Sequence, residues 1–158
     1  MSALLSFDPS LRRPLFDLVV RVARVDPMIG ASQIAAVRGA QVALGLVTDQ
    51  WDAALMRAST GEWRALAAAS DRERSLAYAA ARWVALSDGV LDDAEAKLLA
   101  TLRRDLRLGD ALVRLAESIA NGVALRARVE GLPAHRAFAL LVIEAARHAE
   151  RRRALRAA

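Results

Sequence analysis

The chain is 158 residues long, about one domain's worth, and is 55% hydrophobic against 26% charged, which excludes disorder and suffices to fill a core. The absence of cysteine excludes disulfides, thiolate metal sites and cysteine nucleophiles together. The net charge is +5, and the longest stretch without a formal charge, Pro27 to Val37, is eleven residues against the ~20 needed to span a bilayer.

Taken in chain order, the elements are all helical. The opening MSALLSF meets Asp8 without a basic leader, so no secretory signal is expected and the chain is placed in the cytoplasm. Ser10 to Val25 forms a first helix, with Pro14 tolerated in its first turn and Leu11, Leu15, Leu18, Val22 and Val25 on one stripe. The DPMIG stretch from Asp26 stops it. Ser32 then caps a second helix to about Leu46, with Ile34, Val37, Val42 and Leu46 inward. A short third helix runs from Thr48 or Asp49 through Trp51 and Leu55. Ser59 with Glu62, and Ser70 with Glu73, have capping-box spacing and open helices over Trp63 to Ala69 and Asp71 to about Ser87. After the SDGVLDD turn, a helix covers Asp92 to Leu106. The next starts at Gly109-Asp110 and stops at Asn121-Gly122, followed by a shorter piece, Val123 to Glu130. Gly131 and Pro133 precede a last helix from His135 to about Arg156, striped by Phe138, Leu141, Val142, Ala145 and Ala149. No segment alternates with period two for a strand's length. The expectation is an all-α, single-domain bundle of about eight helices spanning residues 1–158.

The chain also carries an internal repeat. Residues 16–46 overlay 78–108 at a constant offset of 62 without a gap, matching Phe16 to Tyr78, Asp26 to Asp88, Ile29 to Leu91, Gln33 to Glu95 and Val37 to Leu99. Each copy reads as an apolar helix, an aspartate at its end, a tight turn, one buried aliphatic and a second amphipathic helix. This is a helical hairpin used twice, able to bury its two faces against each other with pseudo-twofold symmetry.

The ALSDGVLDDAEAKLL stretch, Ala85 to Leu99, resembles the signature of the tellurite-resistance TerB-like family: an apolar helix, Asp-Gly, an aliphatic two residues on, and Glu seven after the first Asp. That family also carries the motif twice in an all-helical domain, and the resemblance covers roughly Leu15 to Asp110. It implies a non-catalytic role in tellurite and stress resistance, protein partners, peripheral membrane association, and divalent-metal binding by the acidic loop. Two features depart from the pattern. In the first copy Pro27 replaces the glycine and Gln33 the glutamate, leaving only Asp26 of the acidic set. A helical extension, residues 111–158, lies beyond the resemblance.

On residue chemistry, Asp88, Asp92, Asp93 and Glu95 place four carboxylates within eight residues, and Gly89 allows the positive φ that folds them together. With Asp26 they form a candidate site for calcium or magnesium, hard cations that take six to eight oxygens. The alternative is structural: Asp92 and Glu95 have capping-box spacing, and acids there favour the helix dipole. His135 and His148 lie thirteen apart, and Trp51, Trp63 and Trp83 read as core anchors. No nucleophile–base pair and no phosphate-binding glycine loop is present, which points away from an enzyme.

Lys97 is the only lysine, and the last twelve residues hold Arg147, Arg151, Arg152, Arg153 and Arg156 against Glu150. This Arg-rich end supports an alternative reading, docking on nucleic acid or an anionic membrane, or else is a solvated helix end. A helix-turn-helix over Ala31 to Val47 is disfavoured, because after Gly39 only Gln41 can read a base edge and no cation meets phosphate. The reading favoured by the sequence is a TerB-like stress-response interaction module.

Overall fold

The structure, a computed structural model, describes residues 7–46 and 63–158. Among these residues it is all-helical, with no strand, and no helix is long and apolar enough to cross a membrane. The helices are α1 (Pro9–Ala23), α2 (Ala31–Ala43), α3 (Arg64–Ala67), α4 (Asp71–Ala85), α5 (Asp93–Asp105), α6 (Asp110–Glu130) and α7 (Ala134–Ala157), with a 3-10 turn at Leu86–Asp88 after α4. The expected helix at Thr48 to Leu55, with Trp51, and the Ser59–Glu62 capping box lie outside the described residues.

α4 is the central helix. Ten of its residues, from Ser75 to Val84 and Ala85 with only Arg82 half-exposed, are buried on every side. A helix with so wide an apolar surface must be enclosed, and α1, α6 and α7 pack around it. Its alanines let those neighbours approach closely, while Trp83 meets Phe138 of α7 edge-on with ring centroids 5.6 Å apart. Ser70 caps α4 by accepting from Glu73 N–H, and Glu73 reaches back to Ser70 N–H at 3.1 Å, the capping box expected from the spacing.

Four local expectations are corrected. α1 begins at Pro9 behind an Asp8 cap, so Pro14 falls in its second turn, and Val25 lies past its end. α2 begins behind Gly30, which makes Ser32 a helix residue and not the cap. Its inward face is also rotated: Ala36, Val37, Gly39 and Ala40 are buried, whereas Val42 is 57% exposed. The cause is a close crossing with α7, where a Cβ on Gly39 would stand 2.5 Å from Ala134. Small residues win that face because they let the two backbones approach. Finally, Asn121 and Gly122 do not end a helix but continue α6 for 21 residues. The buried run Ala116, Ile119, Ala120, Val123 crosses them, and its burial outweighs the ~1 kcal/mol cost of an interior glycine. Asn121 accepts from Arg82 Nε at 3.0 Å, so its side chain serves the α4–α6 contact.

Candidate functional site

The two acidic turns follow α1 and α4. After α1, Asp26 folds its own turn by accepting from Met28 N–H at 2.9 Å. After α4, Asp88 does the same with Val90 N–H at 3.0 Å, and Gly89 supplies the positive φ of 93°. These side-chain turns are the usual use of Asp where the chain reverses. Arg128 of α6 braces the second turn, with its guanidinium 3.4 Å from the Leu86 carbonyl. Ile29 and Leu91, expected as buried aliphatics, are both half-buried at the turn edges.

Each turn then feeds a helix whose third residue folds back. Gln33 Oε1 accepts from Gly30 N–H at 3.4 Å, and Glu95 Oε2 accepts from Asp92 N–H at 3.1 Å. Asp92 returns the bond by accepting from Glu95 N–H at 2.7 Å, a complete capping box at the start of α5.

The two helix starts meet in the interior. Gln33 is 3% exposed and Glu95 1%, and Gln33 Nε2 donates to Glu95 Oε1 at 3.0 Å. Both Glu95 oxygens are therefore engaged, one by a backbone N–H and one by an amide. The partners are 62 residues apart, the offset of the internal repeat. Burial pushes the Glu95 carboxyl above the ordinary glutamate range. The Asp92 backbone hydrogen bond opposes that rise, while the negative charges of Asp92, Asp88 and Asp26 add to it.

Of the five carboxylates singled out in the sequence, Asp92 caps the helix start that holds buried Glu95, Asp88 and Asp26 act on Glu95 only through their charge, and Asp93 stands exposed in the first turn of α5. Among the described residues, no three acidic or histidine side chains converge as a metal-holding group. Sequence reasoning missed Gln33, treating it only as a lost carboxylate. The signal was the repeat itself, which pairs a side chain able to donate with one able only to accept. Gln41, the one base reader of the helix-turn-helix alternative, is 4% exposed and so is not presented to a groove.

Away from these turns, the polar seam between α4 and α6 is built on Tyr78, whose hydroxyl donates to Glu117 Oε1 at 3.1 Å, with Arg82 3.6 Å from the same carboxylate. Burial, reinforced by the Glu117 charge, pushes the Tyr78 phenol up to about 12. In comparisons with known proteins, no family model, no curated protein and no solved structure matches the chain.

Proposed function

We propose that this chain is a non-catalytic, TerB-like stress-response module of the tellurite-resistance type, built on a helical hairpin used twice and working by binding a protein partner. The observation that carries the reading is the buried Gln33–Glu95 hydrogen bond, which joins equivalent positions of the two copies. Two further contacts recur at the same spacing: the Asp26 and Asp88 turns, and the Gly30–Gln33 and Asp92–Glu95 bonds at the helix starts. A pair of hairpins clasped about a pseudo-dyad accounts for all of them together.

The calcium or magnesium implied by the resemblance fits these residues poorly. A hard cation asks for six to eight oxygens, and each Glu95 oxygen already accepts a hydrogen bond within the protein. In this reading the Gln33 amide stands where a cation would be needed between two facing glutamates, so the clasp closes without an ion. Thermal denaturation with millimolar calcium or magnesium tests this: an unmoved melting temperature supports the metal-free clasp, and a rise of several degrees overturns it. The stress role is tested by deleting the gene and growing cells in tellurite. Heightened sensitivity, restored by the intact chain, is expected; unchanged growth refutes the role.

A further inference from the structure

The Arg-rich end of the chain is not a free tail. α7 runs without a break to Ala157, and its last turns wall a recess of about 150 Å³ between the first half of α4 and the first half of α6. Leu115, Ile119 and Ala149 give the recess an apolar lining, and Arg152, Arg153 and Arg156 stand around it. A fourth arginine, Arg72, lines it from α4. Its one lining carboxylate, Asp71, is bonded to Arg74. Among the described residues no carboxylate pairs with Arg152, Arg153 or Arg156.

Three like charges within two helical turns repel one another, and here they do so beside the positive end of the α4 dipole. An anion placed there relieves both. A purely electrostatic surface for nucleic acid would have no use for an apolar hollow beneath its cations. The combination asks for one molecule carrying a negative head and a compact hydrocarbon body. A volume of this size holds about six carbons, as in a cavity that takes benzene. The guanidinium fork matches a carboxylate in two parallel hydrogen bonds.

We propose that this recess binds a medium-chain aliphatic carboxylate, with its chain against Leu115, Ile119 and Ala149 and its head on the arginines of α7. This goes beyond the stress-module reading and does not depend on it.

Calorimetric titration of the full chain with octanoate, at physiological ionic strength, tests the proposal. Octanoate is expected to bind, with octanol (no charge) and acetate (no chain) each at least tenfold weaker. Arg152→Ala/Arg153→Ala should weaken octanoate about tenfold, the scale of one lost charge-assisted hydrogen bond. Ala149→Trp should fill the recess and abolish binding, with its melting curve confirming an intact fold. Absence of octanoate binding at millimolar concentration overturns the proposal, as does equal binding of octanol. Binding that survives both variants places the site elsewhere. Capture by phosphatidylglycerol vesicles that octanoate does not displace assigns the arginines to a membrane surface instead.

Discussion

Replacing Gln33 by glutamate tests the clasp most directly. Gln33 Nε2 lies 3.0 Å from Glu95 Oε1, and both side chains are buried. In Gln33→Glu two carboxylates would face each other at about that distance. At an effective dielectric of about 20 their repulsion is about 5.5 kcal/mol. Protonating one carboxyl of ordinary pKa, about 4.3, costs about 3.7 kcal/mol at pH 7. The proton is the cheaper escape, so the pair takes one up and the loss of stability is capped near that figure. The folded variant then holds one more proton than the unfolded chain between pH ~4.3 and 7, so its stability rises on acidification by about 1.4 kcal/mol per pH unit.

Urea denaturation of parent and variant across this pH range reads both quantities. The expected result is a deficit of about 3–4 kcal/mol at neutral pH that closes near pH 4. Millimolar calcium or magnesium offers the pair a second route to neutrality, and should stabilise the variant while leaving the parent unmoved. A deficit below about 1 kcal/mol, or one that ignores pH, refutes the argument that these two side chains share a dry contact.

The parent carries a milder version of the same effect. Because the Glu95 carboxyl is raised, chiefly by burial, its share of stability is greatest below the ordinary glutamate range and is lost as pH rises through its folded value. Glu95→Gln should flatten that slope in urea titrations, and an unchanged slope would assign it to another group. Tyr78 is the only tyrosine, so phenolate absorbance reports it alone. Its midpoint should lie near 12 in the folded protein, moving down in Glu117→Gln, and stability should fall as pH rises from 10 to 12; a midpoint near 10 breaks the Tyr78–Glu117 argument. Gly39→Ala should drive α2 away from Ala134 at a cost of about 2–3 kcal/mol, about 5–10 °C in melting temperature, and a neutral result would mean that the crossing is looser than described.

The helical class was legible because no stretch alternates with period two, and the starts of α4 and α5 were legible because a capping box is a local signature. Ser70 with Glu73 and Asp92 with Glu95 form the bonds their spacing requires. What failed were inferences that weigh residues one at a time. Asn121-Gly122 reads as a stop, yet the buried stripe from Ala116 to Val123 carries α6 through it. Ile34 and Val42 look like the apolar face of α2, yet Ala36, Gly39 and Ala40 win because only small residues allow the α7 crossing. The arginine recess had no local signal, since its walls come from three stretches separate in the chain, around Ser70 to Ala79, Leu112 to Ile119 and Ala145 to Arg156. Gln33 was visible but misread: its role depends on what faces it, and only the repeat offset named that partner.

The Gln33–Glu95 pair also bears on the origin of the clasp. In the proposed duplicated hairpin two equivalent positions would face each other across a pseudo-dyad, and a pair of identical carboxylates there would repel unless a shared proton or a cation stood between them. One donor and one acceptor solve the problem, and each then uses its remaining oxygen for the N–H of its own helix start, Gly30 or Asp92. If the two copies are equivalent, the direction of the bond is arbitrary. The exchanged double variant Gln33→Glu/Glu95→Gln should therefore recover most of the stability lost in Gln33→Glu and lie within about 1 kcal/mol of the parent, a coupling that a double-mutant cycle isolates. A double variant no more stable than Gln33→Glu alone would mean that the two helix starts are not interchangeable, and the duplicated hairpin would lose its main support.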